Sequence, residues 1–276
     1  MLKDRTIAIL GTGTMGRAIG EGLCRSGEVR PGHLCGTVRH AARAEELAPQ
    51  LPFPVGTDNP AAARGADVVL LCTKPHKIGA LVQELAGAGA LEHRPLLVSI
   101  AAGVSTTAIE GFAEAASGEV RVVRAMPNTP CLIGEGMTVL SAGSHAGEEE
   151  LAISEALFEP LGRTLRLDEE HMNTVTGLSA SGPAFVYVIL ESLAEGGVMM
   201  GLPRRVATEL AAQAVQGAAR MVLETGRHPA ELKDDVTTPA GCTISALLAL
   251  EDGKLRSVLA RGVQEAARAA AGLGSR

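Results

Sequence analysis

Aromatic side chains are almost missing from this chain: it has no Trp, one Tyr (Tyr187) and four Phe. Its core must therefore be built from Ala, Val, Leu, Ile and Met, and the abundant Gly and Ala predict closely approaching helices. Cysteine pairs are missing too. The five cysteines are Cys24, Cys35, Cys72, Cys131 and Cys242, an odd count with no C-x-x-C. That argues against a disulfide framework and against a zinc site, and it fits a reducing cytosol. Blocks of Lys or Arg are absent. Arg39, Arg43 and Arg64 are scattered and the formal net charge is -6, which argues against a nucleic-acid surface. No apolar stretch of about 18 residues runs free of a charge or a break. The N-terminus opens on Lys3, Asp4 and Arg5 and passes directly into a strand pattern. Neither a membrane span nor a signal peptide is expected.

What is present is an ordinary globular composition, 46% hydrophobic and 20% charged over 276 residues, long enough for two domains. Up to Asp168 two signals alternate. Short apolar, β-branched runs are "TIAIL" (6–10), "ADVVLLC" (66–72), "LLVSI" (96–100) and "VRVVRAM" (120–126), with "HLCGTV" (33–38) weaker. Helix-like stretches lie between them, around 14–26, 41–50, 76–90 and 105–116. This alternation predicts an α/β fold with a parallel, doubly wound sheet. "MTVLSAG" (137–143) and "GRTLRLD" (162–168) predict further strands, with a helix around 147–160. After Asp168 the chain is almost continuously helical. Residues 182–201 are apolar nearly all round, which predicts a buried helix. Val206, Leu210, Ala214, Gly217 and Met221 recur at helical spacing, as do Leu255, Leu259, Val263, Ala266 and Ala270. A boundary is expected near residue 166, giving domains 1–166 and 167–276. Helices this apolar in so small a domain predict a homo-oligomer, the alternative being packing against the first domain.

"AILGTGTMGRAI" (8–19) places Gly11, Gly13 and Gly16 as G-x-G-x-x-G after the first strand and at the start of a helix. In that context the glycines let the backbone approach a dinucleotide pyrophosphate at the helix N-terminus. The alternative is a glycine-rich turn without a ligand. The second strand ends in Thr37, Val38 and Arg39, with no carboxylate before Glu45. An NAD site places Asp or Glu there, whereas a cationic Arg39 suits a 2′-phosphate. NADPH is therefore expected, with NADH weaker; a solvated surface Arg is the alternative. "CTKPHK" (72–77) follows the strand at 66–72, so Lys74 can face the cofactor and Pro75 stiffens the turn. Ala101 and Ala102 occupy the matching position one strand on and leave room for a nicotinamide. Asn128, in the two-proline loop "AMPNTP" (125–130), can reach from the next strand end.

Taken together, these pieces resemble the pyrroline-5-carboxylate reductase family over almost the whole chain. The resemblance rests on Gly11–Gly16, "TKP" (73–75), "AMPNTP" (125–130), "LSASGPAF" (178–185) and above all "HPAELKDDVTTPAGCTISALLALE" (228–251). It implies a Rossmann-type sheet domain, an all-α dimerisation domain, a cytoplasmic enzyme of proline biosynthesis and NADPH-dependent imine reduction. It also implies a homodimer, gathered into a decamer of dimers. By the same resemblance Thr12, Thr14, Met15, Val38, Asn59, Thr73, Lys74 and Ala102 would contact the cofactor. Glu169, Asp235, Cys242 and Thr243 would neighbour the substrate. Two departures stand out. Ala180-Ser181-Gly182-Pro183-Ala184-Phe185 replaces the family's Gly-Ser-Gly-Pro-Ala-Tyr, and Thr238-Pro239-Ala240-Gly241 replaces Ser-Pro-Gly-Gly. The extra methyls narrow close backbone contacts, and Phe185 lacks a hydroxyl. These bear on substrate preference more than on the reaction.

The implied substrate is a five-membered cyclic imine with a carboxylate. The protein must exclude water, hold the carboxylate and ring, and polarise the ring nitrogen. The segment 238–243 reads as a helix start, whose free N–H groups attract an anion. Gly241 keeps the approach open, and the Thr243 hydroxyl can reach the ring nitrogen. The alternative is that Thr243 is only a helix cap worth ~1 kcal/mol. Glu169 can equally be a solvated helix-start carboxylate. His171 and His228 have no visible partners, and Ser181 lies outside any G-x-S-x-G elbow. Rival readings are a β-hydroxyacid dehydrogenase, whose catalytic Lys has no counterpart between 178 and 232, another imine reductase, and a non-catalytic NADP-binding sensor.

Overall fold

The computed structural model describes residues 1–274, and all of their side chains except those of 114–117. The chain divides into two compact units, Met1–Ser181 with Gln264–Arg276, and Gly182–Val263.

In the first unit, β1 (Ile7–Leu10), β2 (Leu34–Thr37), β3 (Val55–Gly56), β4 (Val68–Leu71), β5 (Leu96–Ser99), β6 (Arg121–Met126), β7 (Gly136–Ala142) and β8 (Gly162–Arg166) form one sheet. Their order is β3-β2-β1-β4-β5-β6-β7-β8. The chain winds outward from β1 in one direction, then returns to β4 and winds in the other. That doubly wound order puts a switch point between β1 and β4. The helices of this part are α1 (Thr14–Ser26), α2 (Ala41–Leu47), α3 (Asn59–Ala63), α4 (Ile78–Gly87), α5 (Thr106–Ser117) and α6 (Glu148–Phe158).

Strand residues point alternately to the two faces, and both faces are covered. Ile7 and Ile9 pack with Leu23 of α1, Leu47 of α2 and Leu157 of α6. Ala8 and Leu10 pack with Ala63 of α3, Leu85 of α4 and Ile109 of α5. Two-sided burial is why these strands read as unbroken apolar runs. Each buried Leu or Ile contributes about 1.5–3 kcal/mol by its removal from water.

Three features were not expected. β3 and α3 are too short for periodicity to reveal; α3 begins where Asp58 Oδ1 accepts the Ala61 N–H at 2.9 Å. β7 runs antiparallel to β6, the one antiparallel pair in the sheet among the described residues. The cause is length: only residues 127–135 separate the two strands, and a parallel return needs about a dozen or more. After β8 the first unit continues through a 3₁₀ turn (Glu169–His171), α7 (Met172–Val175) and a π-helical turn (Thr176–Ala180).

The second unit holds α8 (Gly182–Met199), α9 (Arg204–Thr225), α10 (Pro229–Asp235), α11 (Cys242–Asp252) and the first part of α12 (Leu255–Ala271). Its helices meet through small side chains. A Cβ on Gly197 of α8 would lie 3.0 Å from the Ala207 Cβ of α9. The expectation of a buried helix at 182–201 does not hold for the single chain: only Ala194 of α8 is buried, and Tyr187 and Val188 are 61% exposed. In α9 the buried residues are Ala207 and Ala211, while Leu210 and Met221 of the sequence stripe face outward. Small residues let the backbones close up, so the large ones are left on the outside.

Candidate active site

The turn after β1 is shaped by its glycines. Gly11 has φ +101°, and a Cβ there would lie 2.9 Å from the Cys72 carbonyl oxygen. A Cβ on Gly16 would press on the Gly11 carbonyl and lie 3.0 Å from Ile9 Cγ2, so the third glycine seats α1 against β1. Gly13 is the cap residue of α1. Nothing lies within 4 Å of where its Cβ would be, and no side chain caps the helix. The first-turn N–H groups of Thr14, Met15 and Gly16 thus have no intrahelical partners, and no acidic residue stands in that turn. The N–H groups of Gly11 and Thr12 are held by the Thr37 carbonyl at 3.2 and 2.8 Å, which ties the turn to the end of β2.

Two buried hydroxyls flank this turn without a hydrogen-bond partner among the described residues, Thr12 Oγ1 and Thr73 Oγ1. Buried polar groups are otherwise almost always paired. Together with an uncapped helix start, they fit a phosphate-bearing dinucleotide. Cys72, between β4 and Thr73, is no nucleophile: burial pushes its thiol up to about 12.

The other expected cofactor contacts lie at the carboxyl ends of the parallel strands. The register Leu10↔Thr37, Leu10↔Leu71 and Leu71↔Ser99 puts these ends on one edge of the sheet. Val38 donates to the Gly56 carbonyl at 2.9 Å, and Arg39 beyond it is exposed, with no ion pair among the described residues. Asn59 Oδ1 accepts the Thr37 hydroxyl at 2.7 Å. Lys74 is exposed just before the 3₁₀ turn Pro75–Lys77. Ala101 is buried, and Ala102 packs on Met126, Val139, Met172 and Val175. Asn128 has an internal role: its Oδ1 accepts the Met137 N–H at 2.9 Å and its Nδ2 donates to Ser179 O at 3.3 Å. It laces the β6–β7 loop to the π-helical turn.

Glu169 is not a free helix-start carboxylate, and its side chain is only 25% exposed. Its carboxylate accepts the Thr106 N–H at 2.7 Å, the Thr106 hydroxyl at 2.5 Å and Arg124 Nη1 at 3.4 Å. Arg124 also donates to Asn173 Oδ1 at 3.2 Å. Burial pushes the Arg124 guanidinium below its ordinary range, and Glu169 pulls the other way. Sequence reasoning passed over Arg124, Thr106 and Asn173. The available signal was a charge inside the apolar strand "VRVVRAM", since a buried Arg needs a partner.

In the second unit, Thr238, Pro239, Ala240 and Gly241 form a tight turn. Gly241 N donates to the Thr238 carbonyl at 3.0 Å, and Ala240 has φ +57°. Gly241 caps α11, with no side-chain hydrogen bond and no acidic residue in the first turn. Thr243 is therefore the second residue of α11 and not its cap. Its hydroxyl makes no hydrogen bond among the described residues. Cys242 is exposed. Asp235, at the end of α10, accepts Arg227 Nη1 at 2.7 Å, and that guanidinium holds its carboxyl below the usual range. His228 caps α10, its Nδ1 accepting the Ala230 N–H at 3.2 Å.

Residues 169–273 match the family described as pyrroline-5-carboxylate reductase dimerisation, and residues 6–103 match the NADP oxidoreductase, coenzyme F420-dependent, family. A pyrroline-5-carboxylate reductase of Arabidopsis thaliana is 39% identical over 262 residues, covering 95% of this chain and 93% of that protein. The chain belongs to the pyrroline-5-carboxylate reductase family. Among solved structures, the pyrroline-5-carboxylate reductase of Coxiella burnetii is 34% identical with TM-score 0.88, covering 98% of both chains. The pyrroline carboxylate reductase of Plasmodium falciparum, solved with NADP bound, is 25% identical with TM-score 0.87, covering 99% of this chain and 100% of that one.

Membership of the pyrroline-5-carboxylate reductase family gives the exposed apolar helices a reason, because the chain carries that family's dimerisation domain. The helical run Glu169–Met199 is long and apolar enough to cross a membrane by length and composition alone. It lies inside the dimerisation match, so a protein surface accounts for the same pattern. The two departures also find their places. Ala180 packs against Met126, Val139, Met172 and Val175, where the family's Gly would leave that contact unmade. Ala240 occupies a left-handed backbone position that favours Gly.

Proposed function

We propose that this protein reduces 1-pyrroline-5-carboxylate to L-proline with NADPH, the last step of proline biosynthesis. The observation that carries this reading is the match to pyrroline-5-carboxylate reductases over nearly the whole chain. The open turn at Gly11–Gly16 and the two unpaired hydroxyls of Thr12 and Thr73 support the cofactor. In this reading Gly11, Thr12, Gly13, Thr14, Met15 and Gly16 hold the pyrophosphate. Val38, Arg39 and Asn59 hold the adenosine side, with Arg39 taking the 2′-phosphate, so NADH binds more weakly. Thr73, Lys74, Pro75, Ala101 and Ala102 form the remaining cofactor set, with Asn128 shaping its edge through the bonds it makes to Met137 and Ser179.

NADPH supplies a hydride to the imine carbon, the C=N bond becomes a single bond, and the nitrogen finishes as an amine after gaining one proton. The chain's own task is to hold and polarise. The first-turn N–H groups of α11, at Cys242 and Thr243, suit the substrate carboxylate. Gly241 presents no side chain there. Thr243 bears the catalytic role: its unbonded hydroxyl is available to the ring nitrogen, as donor or acceptor. Glu169 and Asp235 complete the substrate set, acting through the residues they hold. Residues 1–166 then form the NADP-binding domain, and 167–276 the dimerisation and substrate-binding domain; the start of the dimerisation match at 169 favours that boundary, although the compact sheet unit also takes in the residues up to Ser181 and from Gln264. We place the enzyme in the cytosol, as a decamer of dimers.

Absorbance of the reduced nicotinamide, with pyrroline-5-carboxylate and NADPH or NADH in parallel, tests the reaction and the cofactor choice. Oxidation faster with NADPH is expected; preference for NADH would remove the Arg39 argument, and no oxidation with either would remove the reaction. Thr243→Val tests the catalytic role. Loss of a positioned donor lowers turnover by about 10²-fold or more, with melting unchanged because Thr243 is not the cap. Analytical ultracentrifugation tests the decamer.

A further inference from the structure

Arg124 takes no part in the roles set out above, yet it is a charged side chain only 3% exposed in the middle of the sheet. It lies on β6 between Ser99 of β5 and Ser141 of β7. Its guanidinium donates to Glu169, and Glu169 grips both the backbone N–H and the hydroxyl of Thr106. Thr106 is the first residue of α5 and closes the loop 100–105 that leaves β5. A buried ion pair is a weak source of net stability, because desolvation offsets most of the attraction. A carboxylate bonded to a first-turn N–H, however, fixes where a helix begins. The C-terminal segment approaches the same loop closely at a second point. Gly103 has φ +76°, and a Cβ there would lie 3.0 Å from Leu273 Cβ and 3.0 Å from Gly274 N. Ala101 and Ala102 directly precede that contact.

We propose that Arg124 is a positioning residue: through Glu169 it anchors the start of α5 and so sets the loop 100–105 on which the nicotinamide end of the cofactor depends. The nicotinamide clause rests on the function proposed above; the anchoring of the loop does not. Asn173, by holding the second arm of the guanidinium, orients it toward Glu169. Arg serves two acceptors at once through a rigid planar fork, whereas the Lys ammonium is a compact point charge whose three donors have no fixed plane.

The test compares Arg124→Met, Arg124→Lys and the double variant R124M/E169Q, with hydrogen exchange and steady-state kinetics. The double variant removes both charges, so no buried charge is left unpaired and it folds even if Arg124→Met does not; an amide at 169 has one acceptor oxygen where the carboxylate uses two on Thr106, and Arg124 no longer orients it. Without any cofactor, amides of 101–107 should exchange at least tenfold faster in Arg124→Met and in the double variant. Those of 68–72 should be unchanged. With NADPH and pyrroline-5-carboxylate, Arg124→Met should lower kcat at least tenfold with the KM for NADPH within about threefold, because the pyrophosphate turn at 11–16 is untouched. Arg124→Lys should recover part of kcat. Wild-type exchange at 101–107 in the double variant would overturn the anchoring. Faster exchange spread over the whole chain, with kcat per folded molecule unchanged, would reduce Arg124 to a stabilising group and overturn it as well. If the wild type itself fails to oxidise NADPH with this substrate, the proposed reaction falls, and the exchange result alone decides whether Arg124 sets the loop.

Discussion

Leu23 on α1 and Leu210 on α9 are the same residue on two amphipathic helices, but Leu23 is fully buried and Leu210 is 57% exposed. The difference comes from what each helix has to pack on. α1 meets a sheet whose strand residues on that face are Ile, Leu and Val, and the sheet's other face is covered by α3, α4 and α5. Such a unit closes its core within one chain. α9 meets α8 through Gly197 and Ala207, and small side chains consume little apolar surface. The large residues left over, Tyr187, Val188, Leu210 and Met221, stay exposed in the single chain, and all four lie within the match to the dimerisation family. One unit covers its apolar surface with its own elements, and the other leaves apolar surface open to a second copy.

Substitutions can break that comparison. Val188→Asp has the largest expected effect. On a free surface it would be silent. In a dimer interface it buries an uncompensated charge at about 3–5 kcal/mol, so sedimentation should show monomers, and the melting temperature should fall and lose the dependence on protein concentration that a dimer shows. A wild-type dimer would remove Val188 from the interface. Leu23→Ala should lower stability by about 3 kcal/mol, without changing the oligomer and with no added concentration dependence. A concentration-dependent loss there would mean that the sheet unit does not close its core alone.

The two units were not equally legible in the sequence. The strands of the sheet unit were readable because two-sided burial writes apolar runs, and the glycine turn because strand, glycines and helix stand in order. The antiparallel β7 was hidden, since direction depends on the length of a connection and not on the strand's residues. In the helical unit the helices were clear from periodicity, but which face is covered was not. The stripe at Leu210 and Met221 reads the same whether it meets its own chain or another. The Arg124–Glu169–Thr106 network joins residues far apart in sequence, so no local pattern carries it. Thr243 reads in sequence as either a cap or a site residue, because a hydroxyl at a helix start suits both; the structure gives the cap position to Gly241.

Thiol chemistry sharpens the comparison with a smaller effect. Cys242, exposed in the helical unit, should react with a maleimide within minutes at neutral pH. Cys131 in the sheet unit is 1% exposed and should not react in the folded protein. Cys72 should also stay silent, for a thiol held up to about 12 contains almost no thiolate until the pH approaches that value. Labelling of either sheet-unit thiol at the rate of Cys242 would show that the sheet unit opens readily.

The smallest expected effect is at Ala240. In the sheet unit the tight positive-φ position after β1 is filled by Gly11, but the turn before α11 places an alanine at φ +57°. A left-handed L-residue costs about 1–2 kcal/mol, because its Cβ crowds the following carbonyl. Ala240→Gly removes that strain and at the same time frees the unfolded chain, which offsets about 0.4–1 kcal/mol. The two terms have opposite sign and the strain is the larger. Chemical denaturation should therefore show a gain of a few tenths to about 1 kcal/mol, with the slope against denaturant unchanged. A loss of stability would mean that the packing around the Ala240 methyl outweighs its backbone strain. The turn would then be shaped by its side chain, as the core of the sheet unit is, and not by backbone freedom.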